Sequence, residues 1–139
     1  MANCEGTFDT NGQTLNTPNY PSNYGANEHC TWKLEAPPGK HVRLLQFSYE
    51  LEGVCGFDNL KIYDGDTTSH NVIADLCATN GTQDDIESTG TTLLLHFTTD
   101  GSKQFLGFRI YYEKERMKSK YFLPLIITPE FKNTIWIPY

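Results

Sequence analysis

Three carboxylates, Glu50, Glu52 and Asp58, fall within nine residues of this 139-residue chain and bracket Cys55. Carboxylates are hard oxygen donors. Ca²⁺ takes about six to eight oxygens, and Gly53 and Gly56 let a loop turn tightly enough to gather them. The plainer reading is a solvated acidic loop, the usual state of clustered charge. A third use is acid–base catalysis by Glu52, Asp58 and Asp100, which needs a positioned partner. None is visible: His29, His41, His70 and His96 form no His-Glu-x-x-His pair, and no Gly-x-Ser-x-Gly elbow occurs. The chain is therefore expected to be non-catalytic. His96, between Leu95 and Phe97, is expected to face solvent.

The elements that must hold these residues read as strands. Cys30 to Ala36 alternates apolar and polar residues, the mark of a half-buried strand. His41 to Leu51 carries Val42 and Leu44 on one face. Past Leu45 the parity shifts and Phe47, Tyr49 and Leu51 continue the apolar set, so one extra residue, a bulge, is expected there. Leu60 and Ile62, with Phe57, make the next strand, closed by Asp64-Gly65-Asp66. Val72–Cys77, Thr92–Phe97 and Gly107–Tyr112 are three more, the last two joined through a turn at Asp100-Gly101-Ser102. Asn80 to Gly90 is polar, with Ile86 as its one anchor. Residues 4–12 hold Cys4, Phe8 and a turn at Asp9-Thr10-Asn11-Gly12. Pro18 to Gly25 is loop chemistry anchored by Tyr20 and Tyr24. Short strands at about ten-residue spacing, with no helical period before residue 113, predict an all-β sandwich.

One domain is expected over residues 1–113, with 114–139 a C-terminal tail assigned to no domain. The tail holds five of the 11 basic residues, and an apolar run at Tyr121–Ile127 interrupted by Pro124. It is expected to be a disordered or loosely docked extension, with an interaction tail or an extra strand as the alternative. The net charge of −6 disfavours nucleic acid and favours cations or basic partners. No run of about 18 apolar residues occurs, so no membrane span is expected. Cys4, Cys30, Cys55 and Cys77 lack Cys-x-x-Cys spacing, which argues two disulfides and an oxidising, extracellular compartment. Three pairings are open at this point. Asn80-Gly81-Thr82 is an N-glycosylation pattern. No secretory leader precedes Cys4, so either Met1 and Ala2 are expected to be foreign to the natural chain or the N-terminus to belong to a longer precursor.

Several separated motifs together resemble the CUB domain of extracellular proteins over residues 4–113. They are Cys4-Glu5-Gly6, Thr17-Pro18-Asn19-Tyr20-Pro21 with Tyr24, Cys30-Thr31-Trp32 and Tyr49-Glu50-Leu51-Glu52. Cys55-Gly56-Phe57-Asp58 with Leu60, Ile62 and Asp64-Gly65 follows, then Phe97, Thr99-Asp100, Ser102 and Gly107-Phe108. Glu5 departs from the family's second residue. The resemblance implies a jelly-roll-like β-sandwich of two antiparallel sheets and the disulfides Cys4–Cys30 and Cys55–Cys77. It implies a Ca²⁺ site on Glu52, Asp58, Asp100 and Ser102, with Tyr24 orienting a carboxylate. Because a bulge changes which side chain faces inward, Glu50 is the alternative ligand to Glu52. The function implied is a non-catalytic, secreted, calcium-dependent module that captures Lys/Arg side chains of an extracellular protein. The alternatives are a calcium-independent glycan- or lipid-binding module, with Tyr20, Tyr24 or Tyr63 stacking on a sugar, or the substrate-recruiting domain of a longer extracellular protease.

Overall fold

The computed structural model describes residues 4–9 and 13–116. Met1 to Asn3, the expected turn around Thr10-Asn11-Gly12 and the tail from Met117 lie outside the described residues. Every regular element described is a strand. They are β1 (Glu5–Asp9), β2 (Gln13–Asn16), β3 (His29–Glu35), β4 (Lys40–Leu44), β5 (Phe47–Glu50), β6 (Asn59–Tyr63), β7 (Val72–Leu76), β8 (Gly81–Gln83), β9 (Ile86–Glu87), β10 (Thr92–Thr98) and β11 (Gly107–Arg116).

The alternating runs became strands because one face of each could be buried. In β3 that face is Cys30, Trp32 and Leu34; in β11 it is Phe108, Ile110 and Tyr112. β10 buries Leu93, Leu95 and Phe97, and Leu94 on its other side is also nearly covered. These residues fill the space between two sheets, as in a β-sandwich. One sheet runs β1-β3-β10-β6-β7; the other runs β8-β5-β11-β4-β9, with β2 also paired to β11. All pairings are antiparallel except β1 with β3, which is parallel. β1 can run that way because β2, in the opposite sheet, lies between the two in sequence. The disulfide Cys4–Cys30 ties the starts of β1 and β3, and Cys55–Cys77 ties the loop after β5 to the end of β7, each with Cα atoms 5.0 Å apart. This is the pairing that the resemblance implied.

The bulge expected after Leu45 is present. Leu44 sits opposite Tyr112 and Tyr49 opposite Phe108, so five steps on one strand match four on β11. The extra residue returns Phe47, Tyr49 and Leu51 to the core after Val42 and Leu44.

Other sequence expectations are corrected. β1, β8 and β9 were not distinguished, nor was β2. β1 and β2 show almost no buried face, and β8 and β9 are only three and two residues long. Phe57 is not part of β6. It lies in a turn closed by the Phe57 N–H donating to the Val54 carbonyl (2.9 Å) and is 48 % exposed. β11 continues through Arg116 and pairs with Lys40, so the first residues assigned to the tail belong to the last strand. His96 does not face open solvent. It is half-buried, 3.3 Å from the Thr31 hydroxyl and edge-on to His29, and burial holds its pKa below the usual imidazole value.

Candidate metal centre

Three loops meet at the end of the sandwich where β5, β10 and β3 finish or begin. The first leaves β5 at Glu50. The Leu51 N–H donates to the Ala78 carbonyl (3.0 Å), which turns the chain over the sandwich end into Glu52-Gly53. The second is Pro18 to Glu28. The third is Thr99 to Leu106, between β10 and β11. The second and third are stapled together. Thr99 N–H donates to the Glu28 carbonyl (3.1 Å), Asn27 N–H to the Asp100 carbonyl (2.8 Å) and Tyr24 N–H to the Phe105 carbonyl (2.9 Å). The buried Thr99 adds its hydroxyl, donating to the Gly25 carbonyl (3.0 Å) and accepting from Glu28 N–H (2.8 Å).

Glu52, Asp58 and Asp100 converge at this junction. One carboxylate oxygen of each lies within 4.8 Å of the other two. Asp58 is fully buried. Its Oδ2 accepts from the Tyr24 hydroxyl (2.7 Å) and its Oδ1 from Asp100 N–H (2.8 Å). Tyr24 is 1 % exposed, with its ring edge-on to Phe97 at 5.2 Å, and its hydroxyl also accepts from Glu52 N–H (3.3 Å). Phe97 in turn stacks edge-on against Phe108, joining the site to the centre of the core. Ser102 N–H donates to Asp100 Oδ1 (3.1 Å), which fixes that carboxylate from the solvent side.

Glu52 is the least satisfied member. Its Oε1 is buried and has no hydrogen-bond donor. Burial, and then the charges of Asp100 and Asp58, hold its carboxyl above the usual range, while Lys103 pulls the other way. Burial also raises Asp58, against the hydrogen bonds from Asp100 N–H and Tyr24. Burial, then the bond to Asp58, pushes the Tyr24 phenol far above its ordinary value, so it serves as a fixed donor. A buried, unpaired carboxylate oxygen beside two more carboxylates costs free energy unless a cation compensates it. The donor set is all oxygen, which suits Ca²⁺.

Glu50 is not among the converging carboxylates. It ends β5, and its Oε1 accepts from Leu106 N–H (3.2 Å). Among the residues named for sugar stacking, Tyr24 and Tyr63 are buried, and the Arg109 guanidinium lies 5.0 Å from the centroid of the Tyr20 ring. Asn80 is exposed in the turn before β8. Sequence reasoning did not find the stapling role of Thr99, whose buried hydroxyl looks like any strand-end threonine in a linear reading.

The CUB domain family model matches residues 4–112. Exoskeleton protein RP43 of Riftia pachyptila is 46% identical over 92 residues, covering 64% of this chain and 22% of that protein. Tolloid-like protein 1 of Homo sapiens is 30% identical over 116 residues, covering 82% of this chain and 11% of that protein. The chain thus spans a small part of the curated relatives it matches. A crystal structure of the MASP-1 CUB2 domain bound to Ca²⁺ superposes with a TM-score of 0.68 at 24% identity, covering 79% of this chain and 99% of that one.

Proposed function

This chain belongs to the CUB domain family, a family of protein-interaction modules, and on that footing we propose that it is a non-catalytic, extracellular, calcium-dependent binding module. Its partner is a protein with exposed Lys or Arg side chains. The observation that carries this reading is the convergence of Glu52, Asp58 and Asp100 around a buried carboxylate oxygen that has no donor. The MASP-1 CUB2 domain, a similar fold, is bound to Ca²⁺, which supports the choice of this metal.

Glu52, Asp58 and Asp100 would hold the ion, with backbone carbonyls and water completing the shell and Ser102 at its rim. When bound, Ca²⁺ supplies positive charge that offsets the repulsion among the three carboxylates. Tyr24 holds Asp58 in one rotamer, and Asp58 in turn holds the Asp100 backbone. Asp100, half-buried with its Oδ1 accepting from Ser102 N–H, would present its other oxygen to the partner. A Lys or Arg from a partner donating to that oxygen makes a charge-assisted hydrogen bond, the stronger class. Within a longer extracellular protease the same contact would recruit substrate.

Thermal melting with and without millimolar Ca²⁺ tests the metal. A ligand of the native state at about 100 times its Kd adds about 2.7 kcal/mol. The midpoint should rise for the wild type and for Glu50→Gln, and stay put for Glu52→Gln. An unchanged wild-type midpoint removes the metal from the proposal. Retention on a lysine-bearing surface, lost in chelator and in high salt, tests the capture step.

A further inference from the structure

At the far end of β11 a second group of metal-ligating side chains comes together, unconnected with the acidic loops. His41 on β4, Glu87 on β9 and Glu115 on β11 each offer one ligand atom, and the three atoms lie within 4.8 Å of one another. β4 runs between β9 and β11, so three adjacent strands contribute one ligand each from the same face. His41 is directly opposite Glu115, and Glu87 is opposite Arg43, one pleat along. Val42 and Leu44 point into the core, which leaves His41 and Arg43 on the outer face. His41 is nevertheless only 8 % exposed, a buried imidazole on the outside of a sheet.

We propose that His41, Glu87 and Glu115 form a binding site for a divalent transition metal of the Zn²⁺ class, with a fourth position left to water. The distances carry the argument. His41 Nε2 is 3.1 Å from Glu115 Oε1 and 3.4 Å from Glu87 Oε1. Tetrahedral zinc with bonds of about 2.0–2.1 Å places neighbouring ligand atoms about 3.3–3.4 Å apart. The 3.4 Å separation already matches that edge and is poor for a charge-assisted hydrogen bond, while the 3.1 Å one is a His41–Glu115 hydrogen bond that would open by a few tenths of an ångström to reach it. Bringing the two carboxylate oxygens to the same spacing takes only side-chain rotation, since Glu87 and Glu115 are 49 % and 30 % exposed.

The surroundings hold the ligands in place. Arg43 Nη1 donates to the other oxygen of Glu115, Oε2, at 3.0 Å, which leaves Oε1 facing His41. Such outer hydrogen bonds orient ligating carboxylates. The Arg43 charge opposes a second cation, but Asp85 at 2.7 Å and Glu113 at 3.6 Å share it. One imidazole with two carboxylates suits Zn²⁺ and not Ca²⁺, which takes oxygen ligands. The site is remote from the acidic loops. Eight residues of β11 separate Glu115 from Gly107, about 26 Å at about 3.3 Å per residue.

The test is Zn²⁺ titration of the whole chain by calorimetry, with millimolar Ca²⁺ present, and repeated in Asp58→Asn to remove the acidic loops as a competing site. One Zn²⁺ should bind. Glu87→Gln and His41→Gln should each weaken it by about a hundredfold or more, exceeding the 10–100-fold effect of losing an outer-shell partner. His70→Asn, at an exposed histidine, should leave it unchanged. Glu87 is exposed, so Glu87→Gln keeps the test intact even where His41→Gln fails to fold. Equal Zn²⁺ affinity in wild type and Glu87→Gln, or no binding below millimolar Zn²⁺, overturns the site.

Discussion

Replacing Tyr24 by Phe removes one oxygen from the acidic junction and leaves its aromatic packing in place. The ring keeps its edge-on contact with Phe97, so no cavity forms. Two hydrogen bonds are lost: the hydroxyl donating to Asp58 Oδ2 at 2.7 Å and accepting from Glu52 N–H at 3.3 Å. The first is short, fully buried and made to a carboxylate, a class that contributes about 1.5–3 kcal/mol. The second leaves a backbone N–H in the interior without its acceptor, adding about 1 kcal/mol. A loss of about 2–4 kcal/mol follows. For a domain of this size that corresponds to roughly 4 °C of melting midpoint per kcal/mol, or about 8–16 °C. Urea denaturation in chelator gives the number without any contribution from metal. The coupling partner is Asp58. In an Asp58→Asn background, Tyr24→Phe should lose less, with a coupling of at least about 1 kcal/mol in the double-mutant cycle. A Tyr24→Phe protein within about 0.5 kcal/mol of wild type, or strictly additive changes, would refute the account of Tyr24 as the group that holds Asp58.

Calcium-free protein should lose stability as pH rises from about 4 towards neutrality, because Glu52 and Asp58 titrate above the ordinary carboxylate range when folded. Their contribution is fully present below the unfolded pKa and is lost as pH climbs through the raised folded values. Melting midpoints across that range should flatten in Glu52→Gln; an identical slope in the variant contradicts the assignment. Asp85 has the opposite sign. The hydrogen bond from Arg43 lowers its pKa, so its contribution is present at neutral pH and disappears only as pH falls through the lowered value. Asp85→Asn should therefore reduce stability at neutral pH and converge on wild type in acid, which urea midpoints at two pH values can check. Gly107→Ala should be among the most damaging small substitutions. Gly107 has φ +86°, and an added Cβ would meet the Thr17 side chain, itself fully buried. Left-handed strain of about 1–2 kcal/mol, with overpacking of about 1–3 kcal/mol, predicts a loss of about 2–5 kcal/mol by denaturant titration.

The strands legible in sequence were those with one buried face. Cys30, Trp32 and Leu34 alternate with polar neighbours because β3 has the core on one side. The parity break after Leu45 was legible for the same reason, since Phe47 and Tyr49 must return to the core. β1, β2, β8 and β9 lie at or near sheet margins, are short, and bury little, so hydrophobic periodicity had nothing to act on. Phe57 looked like a strand residue because an aromatic suggests burial, but it sits in an exposed turn. The choice between Glu50 and Glu52 was beyond periodicity altogether. The two have the same parity, and only the end of β5 after Glu50 sends them to different places. Asp100 lies 42 residues from Asp58, and it was the family resemblance, not local pattern, that joined them. The cluster on β4, β9 and β11 carries no linear signature, since its members are 28 and 46 residues apart in sequence.

The direction in which the chain threads the sandwich has a consequence for tandem arrays. Cys4 lies beside His29 and Thr31, next to the acidic loops, while Arg116 pairs with Lys40 at the other end. β11 carries the chain across that span, about 30 Å over nine residues. Among the described residues the chain therefore enters the sandwich beside the acidic loops and leaves β11 about a module length from them. Under the proposed binding role, access to the loops would then depend on the connection ahead of β1. A short, stiff connection would shade the loops like an eave, and a longer one would open them. Swapping that connection alone would then tune the proposed capture without altering Glu52, Asp58 or Asp100.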